Sequence, residues 1–132
     1  MLTEYLLPIV EQFSPTEKFM LWYQHDGAPP HYSRAVQQLL NEKFKNQWIG
    51  RGGPIEWPPR SPDLNPLDFF LWGYIKALVH KKRPRTLASL RWSIIQAFKQ
   101  VTEGTMEKVM MTTLKRMLVC WEENGGHFEH LL

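Results

Sequence analysis

Phe19-Met20-Leu21-Trp22-Tyr23-Gln24-His25-Asp26-Gly27-Ala28-Pro29-Pro30-His31 is the stretch that decides the fold. Its opening apolar and aromatic run, closing on Gln24, has the length and composition of a short buried strand. His25-Asp26-Gly27 follows at once, so Asp26 stands where that strand ends. Two readings of Asp26 are open. A carboxylate at a strand end projects into the cleft at the sheet edge, where it can hold a metal ion. Asp-Gly is equally a strong turn signal with no chemistry attached.

Upstream, Leu2, Leu6, Leu7, Ile9, Val10 and Phe13 recur at roughly helical spacing, interrupted by Pro8. They predict a short amphipathic helix ending near Ser14-Pro15, with Ser14–Glu17 turning the chain into the strand. Downstream, Pro30 suits the start of a helix whose inner face is Tyr32, Val36, Leu39, Leu40 and Phe44. Trp48-Ile49 reads as a second short strand, broken by Gly50–Pro54 and resumed at Ile55–Trp57. Pro58, Pro59 and Pro62 then forbid regular ladder pairing.

Asn65-Pro66-Leu67-Asp68 reads as a helix start, with Asn65 as cap and Pro66 in the first position. That helix runs to about His80, is apolar nearly all round and is expected to pack deeply. Asp68 again has two readings: a metal-binding carboxylate, or a first-turn acid facing the positive end of the helix dipole. Asp63, in the preceding turn, has a structural role. Thr86 caps a further helix with a Leu87, Leu90, Ile94, Phe98, Val101 stripe, stopped by Gly104. Thr105 opens the last, with Met106, Val109, Met110, Leu114, Met117, Leu118 and Trp121 along one side and Asn124-Gly125-Gly126 as its end. The expected fold class is α/β, with one or two short strands among about five helices. One confident strand cannot make a sheet. Its partners must come from another chain, such as a second copy in a homodimer, or from a missing front half of a larger domain.

The 132 residues suit one domain, and no boundary divides them. An apolar share of 43%, with six tryptophans and seven phenylalanines, supports a packed core rather than disorder. A net charge of +3 and a pI near 9.1 agree with a nucleic-acid partner without requiring one. The single cysteine, Cys120, excludes an internal disulfide. No apolar run is long enough for a membrane span and no secretory leader is visible, so a soluble intracellular protein is expected.

Gln24-His25-Asp26-Gly27-Ala28-Pro29-Pro30-His31, together with Trp57-Pro58-Pro59-Arg60-Ser61-Pro62-Asp63-Leu64-Asn65-Pro66-Leu67-Asp68, resembles the catalytic domain of mariner-like transposases. These belong to the DDE/D superfamily and have a ribonuclease-H-like fold. Leu71-Trp72-Gly73 and Asn124-Gly125-Gly126-His127-Phe128 extend the resemblance over nearly the whole of residues 1–132. It implies that Asp26 and Asp68 are the second and third catalytic carboxylates of a site holding two Mg²⁺ or Mn²⁺ ions. It also implies DNA cleavage and strand transfer at transposon ends, and a nuclear protein. In such chemistry one ion helps deprotonate the attacking water or 3′-hydroxyl and the other stabilises the leaving oxygen. Hard carboxylate oxygens suit Mg²⁺.

Two departures from the family pattern matter. Residues 27–67, 41 in all, separate the two carboxylates, longer than is usual for mariner elements, and Gly50–Pro54 looks like the inserted length. The first carboxylate and its leading strands are expected to be missing, since Glu4, Glu11 and Glu17 lack the strand context, and the family's helix-turn-helix DNA-binding domain is expected to be absent too. The chain is therefore expected to be a truncated ribonuclease-H-like domain, a remnant not competent as a transposase by itself. The alternatives are a nucleic-acid-binding or interaction module gripping the DNA backbone through Lys81, Lys82, Arg83 and Arg85, or a non-functional relic of an element. The same four cations also suit a solvated helix end. His25 and His31 either orient groups around Asp26 or simply line a polar rim. The histidines lack zinc-ligand spacing. Trp22, Trp57, Trp72 and the methionines of the last helix read as core.

Overall fold

A computed structural model describes residues 2–132. They form two compact units, one ending at Arg60 and the other spanning Ser61–Leu132. Most of the described chain is helical. Its one sheet has two parallel strands, which is compatible with a small α/β fold.

In the first unit a π-helical turn, Leu2–Leu6, leads into α1, Leu7–Glu11. Pro8 lies in the first turn of α1, where a missing N–H costs nothing. The segment after Ser14 is a helix, α2 (Pro15–Met20), and not a turn into a strand. Ser14 Oγ accepts the Glu17 N–H at 3.3 Å, and Glu17 Oε2 accepts the Ser14 N–H at 2.7 Å. This reciprocal cap starts a helix that takes in Phe19 and Met20. Both end exposed, and the strand shrinks to β1, Tyr23–Gln24.

β1 pairs in parallel with β2, Trp48–Ile49, setting Tyr23 opposite Trp48 and Gln24 opposite Ile49. The crossover is α3, Arg34–Phe44. It begins later than Pro30 suggests, because Pro29–Tyr32 first make a 3₁₀ turn and Ser33 is extended. Leu40 and Phe44 of α3 bury against Leu7 and Trp48, with Tyr23, Val36 and Leu39 packed around them. Ile55 adds a single bridge to Ile49, so the resumed strand is only a contact point. Gly50–Pro54 is exposed at Arg51, Gly52 and Pro54 but packs closely at Gly50 and Gly53. A Cβ on Gly50 or Gly53 would lie 2.9 or 2.8 Å from the Trp48 ring. Glycine lets the backbone pass directly over the buried indole.

In the second unit a 3₁₀ turn, Pro62–Leu64, precedes a π-helical turn, Leu67–Leu71, which continues as α4, Trp72–Lys82. Arg83 adopts the left-handed conformation (φ 46°, ψ 57°) and Pro84 follows, ending the helix. α5, Leu87–Phe98, starts at Thr86, whose Oγ1 accepts the Ser89 N–H at 3.1 Å. α6, Glu103–Glu122, starts at Thr102, so Gly104 lies in its first turn and does not stop α5. Gly125 (φ 79°) closes α6, its N–H donating to the Cys120 carbonyl at 2.8 Å.

The packing of these helices departs from expectation. α4 buries Ile75 and Val79 but leaves Trp72 exposed, as is Leu67 in the turn before it. α5 meets that core with Ala97, beside buried Ser93, and of the predicted stripe Val101, just past the helix end, packs there. Small side chains let the helix axes approach. Leu87, Leu90, Ile94 and Phe98 consequently remain exposed. α6 likewise buries Val109 and Thr113 and exposes Met106, Met110, Leu114, Leu118 and Trp121. Of the tryptophans read as core, Trp57 is buried, whereas Trp22 and Trp72 are exposed. No described helix is long and apolar enough to cross a membrane.

Candidate metal-binding carboxylates

Asp26 is the first residue past a short ladder. Tyr23 N–H donates to the Gln47 carbonyl at 3.0 Å and His25 N–H to the Ile49 carbonyl at 2.8 Å, which fixes the strand end. One Asp26 oxygen, Oδ1, accepts the Ala28 N–H at 3.0 Å and the Nδ1–H of His31. The Ala28 bond is the turn that Asp-Gly suggests. The His31 bond is additional to it. Oδ2 receives no hydrogen bond among the described residues.

His31 is itself held. Its ring stacks on His25 with centroids 4.1 Å apart and planes at 25°. His25 is buried, edge-on to Tyr23, and Tyr23 stacks on Phe44 of α3. A chain of rings therefore runs from the hydrophobic core to the carboxylate. The two imidazoles also form part of the wall of a cavity of about 410 Å³, otherwise lined mainly by apolar groups such as Val36 and Leu39. Partial burial pushes the Asp26 carboxyl up, but the Ala28 and His31 hydrogen bonds and the charge of the two histidines outweigh it. The net shift is below the usual carboxylate range. Burial pushes His25 down from the ordinary imidazole value, and His31 adds to this against the pull of Asp26.

Asp68 lies in the second unit and is exposed. Asn65 is buried and works in two directions. Its Oδ1 accepts the Leu67 N–H at 3.2 Å, capping the helix, and its Nδ2 donates to Asp68 Oδ2 at 2.7 Å. The Asn65 carbonyl also takes the Asp68 and Phe69 N–H groups at 2.9 and 3.0 Å. Asp68 Oδ1 has no donor among the described residues. Arg116 of α6 steadies the preceding turn. Its Nη1 donates to the Asp63 carbonyl at 2.9 Å, and its guanidinium lies 4.4 Å from the Phe69 ring centre. Arg116 escapes sequence reasoning because 53 residues separate it from Asp63.

Lys81, Lys82, Arg83 and Arg85 are exposed at the end of α4, with Lys82 4.8 Å from the Trp92 ring centre. Among the described residues no three His, Cys, Asp or Glu side chains cluster closely enough to hold a metal ion. Asp26 and Asp68 each have one carboxylate oxygen anchored and the other without a donor among the described residues.

Over 106 residues, 79% of its length, the chain is 30% identical to the transposable element Tc3 transposase of Caenorhabditis elegans. It spans 30% of that protein. This similarity supports a relationship to transposases of the Tc1/mariner type and a transposon-derived origin. No protein-family model and no solved structure matches the chain.

Proposed function

We propose that this chain carries two metal-binding carboxylates, Asp26 and Asp68, of a DDE/D-type phosphoryl-transfer site on a ribonuclease-H-like framework, with DNA as the substrate and the nucleus as the compartment. One observation carries this: both aspartates have a single oxygen tied by a side-chain donor while the other is left open. A turn residue at Asp26 needs no donor beyond the Ala28 N–H, and a first-turn acid at Asp68 needs no side-chain donor. Mg²⁺ or Mn²⁺, when bound, supplies activation of the attacking hydroxyl and stabilisation of the leaving oxygen. The protein's part is to keep Asp26 ionised, through Ala28 and His31, and to aim each carboxylate. Two carboxylates hold a cation less firmly than three. The 132 residues by themselves therefore bind the ion without efficient strand cleavage, since small positional errors cost about 100-fold in rate.

Calorimetric titration with Mn²⁺ tests this. Asp26→Asn and Asp68→Asn should each weaken binding by at least about tenfold, because even outer partners of a metal ligand are worth about 10–100-fold. Equal affinities for the wild type and both variants would contradict it. A supercoiled plasmid incubated with the chain and Mn²⁺ should remain essentially uncut.

The exposed cations at the end of α4 favour a second reading, DNA-backbone binding without cleavage. Affinity should then fall steeply with salt. Replacing Lys81, Lys82, Arg83 and Arg85 with Ala should flatten the slope of log K against log salt by about one unit per residue. No binding at low salt removes this reading.

A further inference from the structure

We infer that His31 is the positioning residue for Asp26, fixing which carboxylate oxygen faces a cation. The inference rests on the metal-binding role proposed above and adds a residue to it. A carboxylate free to rotate about its terminal torsion presents either oxygen, because that torsion is broad and roughly two-fold. Here Oδ1 takes both the Ala28 N–H and the His31 Nδ1–H. Together they fix the carboxyl plane and leave Oδ2 as the open ligand atom.

An ionised carboxylate only accepts hydrogen bonds, so the proton on this edge of His31 must sit on Nδ1. The ring cannot swing away freely. It is stacked on His25, which is buried and braced by Tyr23 and Phe44. His31 itself lies in the Pro29–Tyr32 3₁₀ turn, where two successive prolines restrict the backbone. A histidine serving only the turn would need neither the ring stack nor the δ-nitrogen bond. Outer-sphere donors of this kind orient metal ligands, and their loss typically costs about 10–100-fold in metal affinity.

The test uses the full chain and Mn²⁺ alone. His31→Ala should weaken Mn²⁺ binding about 10–100-fold. His31→Asn, whose amide nitrogen approximates Nδ1, should restore most of it. His31→Gln, whose amide approximates Nε2, should not. Circular dichroism and thermal midpoints of the three variants separate this pattern from a folding defect. A measurement without substitution guards against that defect as well. Imidazole ¹⁵N spectra of the wild type should show His31 with Nδ1 protonated, and Asp26→Asn should shift that signal. An Nε2–H neutral tautomer in the wild type would overturn the inference. So would Mn²⁺ affinity that responds to Asp26→Asn but not to His31→Ala, and in that case the metal-binding role of Asp26 would survive. Affinity indifferent to Asp26→Asn would remove that role and the inference with it.

Discussion

Asp26 depends on residues far along the chain, whereas Asp68 depends on a neighbour three positions away. The strand end at Asp26 exists because β1 pairs with β2 across the α3 crossover, and because α3 and Trp48 supply the core beneath it. Its donor, His31, is steadied by rings that lead back to Phe44. The Asp68 side chain takes its donor from Asn65, at the start of its own helix, although Arg116 steadies the turn before it. The same arrangement, one oxygen tied and one open, is thus reached by tertiary packing in one unit and by local capping in the other. Damage to the core should therefore reach Asp26, and damage to the cap should reach Asp68.

Trp48→Ala should give the largest effect. The indole is buried and its Nε1–H donates to Asn41 Oδ1 at 2.9 Å. Losing it should cost about 3–5 kcal/mol in urea denaturation. The Ala28 amide signal should lose its hydrogen-bonded shift, while the Leu67 amide, held locally, should keep its own. Asn65→Ala should cost about 1 kcal/mol as a lost helix cap and release the Asp68 side chain. The Ala28 amide should not respond. A response at both sites in either variant would break the distinction.

Acid should separate the units next. His25 titrates lower folded than unfolded, so below about pH 6.5 the unfolded chain binds more protons. Stability of the first unit should decline as pH falls from there towards the folded value. Asp26 is also depressed, and its contribution, present above about pH 4, should be lost only as pH falls further, through its lowered folded value. His25→Phe should flatten the first decline, read from urea midpoints between about pH 7 and 5. An unchanged slope would contradict the burial of this imidazole. Leu87→Ser should give the smallest effect, within about 0.5 kcal/mol, because Leu87 is 86% exposed.

Capping explains what could be read from the chain in advance. Asn65, Thr86 and Asn124-Gly125 act through hydrogen bonds to backbone groups a few residues away, so the letters carry the signal. Ser14 and Glu17 carry one of the same kind, and the apolar run beginning at Phe19 masked it. The helix faces were less legible. On α3 the apolar stripe is the buried face, because Leu7 and Trp48 are there to receive it. On α5 and α6 the small or polar residues Ser93, Ala97 and Thr113 are buried, with Val109 from the predicted stripe, and most of the larger side chains stay outside. Which face a helix buries depends on its partner, and periodicity cannot name the partner. The Arg116–Asp63 bond and the passage of Gly50 and Gly53 over Trp48 are likewise tertiary. The carboxylates themselves stood out through their neighbours, His25-Asp26-Gly27 and Asn65-Pro66-Leu67-Asp68. Their one-sided anchoring did not.

Paramagnetic broadening by sub-stoichiometric Mn²⁺ tests the metal-binding role of the two aspartates most directly. The amide of Ala28 and the imidazole of His31 should broaden first, together with the side-chain amide of Asn65 and the amide of Leu67. Asp26→Asn should abolish the first pair of effects and Asp68→Asn the second. Broadening that spares all four groups and falls instead on the exposed glutamates or on His127 and His130 would contradict it.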